Sequence, residues 1–315
     1  MHRSIRRLVL SLLLAGIGAA PAVAAPLLSL LDTAVAGTLE ELAGRKVQSN
    51  QLAVTLVVLS AGRESARASY RGDVPIYPAS VVKLFYLAAA HRWLEDGRLA
   101  DTPELRRALR DMIVESYNEA THYVVDLLTG TTSGPELPEA ELDAWFEKRN
   151  AVNRYFLSLG YTNINANRKP WCEGPYGRES QSIRRHDRKR NMLTTDATAR
   201  LLTEIVTGRC VTPKRSAEML ELMKRDPYRK LEDGVEPDQG NAFTGLAVRS
   251  IPGTRLWSKA GWTSQTRHDA AYLELPDGAR FVLVTFTTDH ANERGIIEGV
   301  ARRVIAGLAT LPKAE

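Results

Sequence analysis

Runs of β-forming apolar residues stand near both ends of this chain, and helical spacing fills the middle; that order limits the folds open to it. Leu52 to Leu59 is a continuous β-rich run that reads as a buried strand, and Ala66 to Tyr70 can pair with it across a turn at Ser60 to Glu64. Strand signals return only at Arg255 to Ser258, Asp269 to Leu275 and Phe281 to Thr287, the last two flanking the turn Pro276-Asp277-Gly278-Ala279. Helical spacing marks Leu27 to Ala43, which stops at Gly44, and Glu293 to Leu308. It also marks a helix from Ser80 to about Leu94 and segments near 103–114, 118–129, 139–159, 194–207 and 212–224. Strands so far apart in sequence imply one antiparallel sheet built from both chain ends, flanked by the terminal helices, with an all-helical lobe inserted. The expected class is α+β, with a sheet lobe from about 25–75 and 246–315 and a helical lobe from about 76–245. A groove between two such lobes is the natural place for a site.

The first residues belong to no part of that fold. Arg3, Arg6 and Arg7 precede an apolar stretch from Leu8 to Ala20, and Ala22-Val23-Ala24 supplies small residues for cleavage. This is the pattern of a secretory signal over 1–24, too short and wrongly flanked for a spanning helix. The remainder is expected to be a soluble, monomeric protein outside the cytoplasm, in the periplasm if the host has two membranes. The whole chain has a net charge of +5, part of which belongs to this N-terminus, and its 44% apolar and 25% charged residues are those of an ordinary globular protein. Export leaves nucleic acid an improbable partner, so the basic run Arg184-Arg185-His186-Asp187-Arg188-Lys189-Arg190 reads as a solvated face or a patch for an anionic envelope polymer. Cys172 and Cys210 could form a disulfide or remain two buried thiols, and both alternatives stay open. No Cys or His spacing suits a metal, and no cofactor is expected. Two stretches have no period: Gly160 to Arg190 and Asp226 to Gly245. Irregular loops of such length are often functional.

The chemistry-bearing stretch is Tyr77-Pro78-Ala79-Ser80-Val81-Val82-Lys83-Leu84, where prolines give way to an alanine-rich apolar helix. Residues three apart on a helix are neighbours, so the Ser80 hydroxyl and Lys83 amine would share a spot. A lysine among apolar residues is where an amine can lose its proton and take one from a hydroxyl. A capping serine followed by an amphipathic lysine would look the same.

Two further motifs follow in order. Ser116-Tyr117-Asn118 lies in a break between two helices, and Lys259-Ala260-Gly261 ends a strand. Singly, these could be cap residues and a solvated strand end. Together with Ser80-x-x-Lys83 they resemble the Ser-x-x-Lys, Ser-x-Asn and Lys-Thr/Ser-Gly set of class A serine β-lactamases and penicillin-binding peptidases. The contexts Asp111 to Thr121 and Arg190-Asn191-Met192-Leu193-Thr194-Thr195 are similar as well, and the resemblance spans roughly residues 45–310. It implies an acyl-enzyme on Ser80 without metal or organic cofactor. Lys83 would take the hydroxyl proton, and Ser116 would relay a proton to the departing nitrogen. The N–H groups of Ser80 and Trp262 would form the oxyanion hole, each donor worth about 10²–10³ in rate. Asn118 would orient Lys83 and bind the substrate amide. Lys259 would hold Ser116 and attract a substrate carboxylate, and Gly261 would leave room for the acyl chain. Arg267 stands like the family's carboxylate-binding arginine, although as a hairpin residue it could be only a surface charge.

Two departures from the family pattern follow. Ala260 lacks the usual hydroxyl, which Ser258, Thr263 or Ser264 could replace. The family's Glu-x-x-Leu-Asn, whose glutamate activates the deacylating water, is missing; Glu173 and Glu179 are the candidates, or both are solvated loop carboxylates. The expected substrate is a β-lactam. The alternatives are a D-alanyl-D-alanine peptidoglycan stem or another amide or ester deacylated slowly, and a non-turnover cell-wall-fragment binder or acylated sensor.

Overall fold

The computed structural model describes residues 24–171, 174–186, 190–230 and 242–311, so the expected signal falls outside the described residues but for Ala24. Among the described residues six strands form one antiparallel sheet: β1 (Leu52–Ser60), β2 (Arg63–Tyr70), β3 (Lys224–Arg225), β4 (Arg255–Trp262), β5 (Arg267–Glu274) and β6 (Arg280–Thr287). Their order is β2-β1-β6-β5-β4-β3. The early strand β1 lies against the last one, β6, with Leu56 opposite Leu283, so the sheet is complete only when the two chain ends meet.

Alternation along the strands divides the apolar residues between two cores, because successive strand side chains point to opposite faces. Leu52, Val54, Leu56, Leu273, Phe281 and Leu283 face one way and are covered by α1 (Ala24–Glu41) and α10 (Gly295–Leu308). Ala53, Val57, Ala270, Tyr272, Val282 and Val284 face the other way, into a larger core shared with the middle helices. Each fully buried Val, Leu or Phe contributes about 1.5–3 kcal/mol, so a one-residue slip in register would be costly.

The centre of the helical lobe is α2 (Lys83–Glu95), buried on every side from Lys83 to His91. A helix with no polar stripe must be surrounded. Around it stand α3 (Pro103–Arg110), α4 (Asn118–Thr129), α5 (Glu139–Arg149), α6 (Ala151–Ser158), α7 (Gly177–Arg185), α8 (Thr195–Val206) and α9 (Pro213–Leu222), with α8 packed on β1, β5 and β6.

The middle departs from expectation in four places. The first helix ends at Arg110 and passes into a π turn, Asp111–Glu115. The single helix expected over 139–159 is α5 and α6, broken at Asn150, whose side-chain amide donates back to the Phe146 carbonyl at 3.0 Å. The aperiodic stretch from Gly160 contains α7, whose buried residues are Glu179 and Ser182, so no apolar stripe announces it. The sheet also takes a strand from the middle, the two-residue β3. Of the loop from Asp226, residues 231–241 lie outside the described ones, and Thr244–Val248 is a 3₁₀ turn. No described helix is long and apolar enough to cross a membrane.

Candidate active site

Ser80 sits not in α2 itself but in a 3₁₀ turn, Ala79–Val82, that feeds it. The turn is held from three sides. Ile76 and Leu193 exchange backbone hydrogen bonds of 2.8 and 2.9 Å, and the Val81 N–H donates to the Pro78 carbonyl at 3.0 Å. Gly261 of β4 presses against it, since a Cβ there would lie 2.6 Å from the Pro78 oxygen and 3.1 Å from the Ser80 nitrogen. Only a residue without a side chain allows that approach. Ala79 is bent to a φ of 45°, a conformation costing an L-residue on the order of 1–3 kcal/mol unless its surroundings enforce it.

Ser116 caps the π turn in the left-handed region, φ 61°, and that bend points its hydroxyl back toward α2. Lys83, fully buried, donates to the Ser116 carbonyl at 2.5 Å, to its Oγ at 3.1 Å and to Asn118 Oδ1 at 2.9 Å. Lys259, also fully buried, donates to the same Ser116 Oγ at 2.9 Å and to the Ala260 carbonyl at 2.8 Å. A hydroxyl has two acceptor positions and one donor. With both acceptors on Ser116 taken by ammonium nitrogens, its own hydrogen is left for a third direction. Burial pushes the Lys259 ammonium well below its ordinary pKa, and the positive charges of Lys83 and Arg225 push it further. A proton in this cluster is therefore held loosely and can be passed on.

The face of β4 explains which motif residues meet. Lys259 and Gly261, opposite Ala270 and His268, lie on the face toward the middle helices, while Ala260 and Trp262 alternate to the other. Ala260 packs with Phe243 and Ile297, closing with hydrocarbon the place where the family pattern has a hydroxyl. Ser258 does not replace it, because its Oγ donates to the buried carboxylate of Asp269. Thr263 is occupied in its turn, where it accepts from the N–H groups of Gln265 and Thr266, each at 3.1 Å. Arg267 does not join the Lys83–Ser116–Lys259 cluster. Its Nε donates to the Ala291 carbonyl at 2.7 Å, and its guanidinium lies 4.4 Å over the Phe243 ring and 5.4 Å over that of Trp262. It is buried, not a hairpin surface charge, and burial lowers its pKa. Trp262 itself is 57% exposed at the end of β4.

Glu179 was expected either to activate water or to stand in solvent, and the structure gives it another position. Its side chain is buried; Oε1 accepts from Arg149 at 2.7 Å and Ser133 at 2.9 Å, with Lys169 at 3.8 Å. Lys169 also donates to Asp126 at 2.7 Å. Glu179 thereby ties α7 to α5 through Arg149. Glu173 and Cys172 lie outside the described residues. Trp171, just before them, rests on His122, with ring centroids 4.4 Å apart, one helical turn beyond Asn118. Cys210 is a free, buried thiol whose pKa burial raises to about 12.

Two buried groups beside the site escape a reading by motif. Asp269 accepts from Ser258 and from the Thr244 N–H at 2.7 Å, and burial raises its pKa. His268 is fully buried against Phe286, between the sheet and the Ser80 turn. The one sequence signal for either was a pair of adjacent polar residues leading into the apolar run Ala270 to Leu273.

A model of the Beta-lactamase enzyme family matches residues 100–308. No curated protein matches the chain. Among solved structures, a β-lactamase from Sphaerobacter thermophilus is similar at 21% identity and a TM-score of 0.62, covering 90% of this chain and 98% of that one. PBP-A is similar at 18% and 0.58, covering 87% and 97%. A β-lactamase from Chitinophaga pinensis is similar at 18% and 0.57, covering 88% and 98%. At such identities the likeness is one of fold.

Proposed function

From the premise that this chain belongs to the Beta-lactamase enzyme family, we propose that it is an exported serine hydrolase that opens β-lactams through an acyl-enzyme on Ser80. The observation that supports this reading most is the single Ser116 oxygen accepting from both Lys83 and Lys259. The Ser80 oxygen attacks the acyl carbon as its proton passes to Lys83, which accepts it once the Lys83 ammonium has given up a proton of its own through the Ser116–Lys259 cluster. The C–N bond then breaks, and the nitrogen takes the Ser116 hydroxyl proton, which the lysines replace. The N–H groups of Ser80 and Trp262 receive the developing oxyanion. Water hydrolyses the ester and restores Ser80.

A second reading keeps acylation and slows deacylation, with a D-alanyl-D-alanine peptidoglycan stem or another amide or ester as substrate. One observation favours it: Glu179 is engaged by Arg149. In a third, the acylated protein is a sensor. Intact mass after penicillin, measured alongside turnover of a chromogenic β-lactam, separates them. Fast turnover is the expected result. A stable adduct supports the second or third reading, and neither turnover nor adduct overturns the acyl-enzyme account.

A further inference from the structure

The Ser80 turn contains a bend, at Ala79, that an alanine does not adopt unaided, so something must impose it. The carbonyl two residues earlier is held by His268. The Nε2–H of its ring donates to the Tyr77 oxygen at 2.8 Å, and its Nδ1 accepts from the Thr287 N–H at 3.1 Å. These two partners fix one tautomer, with the proton on Nε2, because a carbonyl can only accept and a backbone N–H can only donate. The ring is fully buried and stands opposite Gly261, the residue pressed against the Ser80 nitrogen. It thus connects β6, through β5, to the nucleophile turn.

We propose that His268 is a positioning residue for the nucleophile: as a neutral imidazole, it clamps the Tyr77 carbonyl to the sheet and so holds the bend that aims Ser80. The proposal rests on the acyl-enzyme reading for its effect on rate, but not for the clamp itself. Neither neighbour can replace the ring. The N–H of the preceding residue, Arg267, is directed to Thr287 Oγ1 at 3.3 Å, and Gly261 has no side chain. Burial lowers the His268 pKa to about 4, which is consistent with a ring that stays neutral at working pH.

The test compares His268→Asn with His268→Gln. Asparagine can still accept from Thr287 but is too short to donate to Tyr77, whereas the glutamine amide reaches the place of Nε2. The first readout is hydrogen exchange of the backbone over residues 76–85. The second is penicillin acylation, resolved into its binding and bond-forming steps. The expected result is faster exchange in His268→Asn and a bond-forming rate lowered at least about tenfold with binding little changed, since small misplacements of a nucleophile are costly. In His268→Gln both should return most of the way to the native values. A purely structural role would lower the melting temperature of both variants without that split. Unchanged exchange in His268→Asn, or loosened exchange with an unchanged bond-forming rate, overturns the proposal. If the native protein is not acylated at all, the acyl-enzyme reading fails, and the exchange comparison alone decides whether the clamp exists.

Discussion

A single oxygen, Ser116 Oγ, accepts from two buried lysines, and at the scale of residues the account rests on that contact. Two cations out of water so close together are held at a cost that the rest of the fold must carry. Lys259→Met keeps the volume and removes one of them. The expected outcome is an acylation rate lowered by about 10² or more together with a higher melting temperature. The pH dependence has a definite sign. The folded pKa of Lys259 is depressed, while the unfolded value is about 10.4. Between the two the unfolded chain binds more protons, so native stability rises with pH across that window and levels off above it. The variant lacks this slope. Its advantage in melting temperature should therefore shrink as pH rises from 7 to 10. An advantage independent of pH would mean that Lys259 is not the titrating group.

At the scale of elements, the long loop after α6 owes its form to charge rather than hydrocarbon. Arg149 of α5 and Glu179 of α7 pair without solvent, and Lys169 joins them through Ser133 and Asp126. Apolar periodicity could reveal α2 and α8 but not α7, whose buried face is a glutamate and a serine. The glutamate was visible in the sequence as a candidate base; its real partner, thirty residues earlier in chain order, was not. Removing one member of a buried pair costs about 3–5 kcal/mol, because the other charge is left uncompensated. Glu179→Gln should then lower the melting temperature by several degrees, read by calorimetry, while the deacylation rate of a penicillin adduct stays within about twofold. A trapped adduct in a variant of native stability would return Glu179 to the chemistry.

At the scale of the whole molecule, the sheet assembled from both chain ends was legible because strand signals occur only there, apart from β3, which is too short to carry one. The order of the three motifs was legible too, and the lobes bring Lys83, Ser116, Asn118 and Lys259 together. What the sequence could not reveal is which face each neighbour of a motif residue takes. Alternation along β4 and β5 places Lys259, Gly261 and His268 on the side of the middle helices, and Arg267 with Ala260 against Phe243 on the other. Convergence of the lobes at Ser80 is the central claim, and mapping the penicillin adduct by tandem mass spectrometry of its peptides tests it most directly. The adduct should lie on Ser80 in the native protein and be absent from Ser80→Ala. An adduct on any other residue, or one that survives in Ser80→Ala, would contradict it.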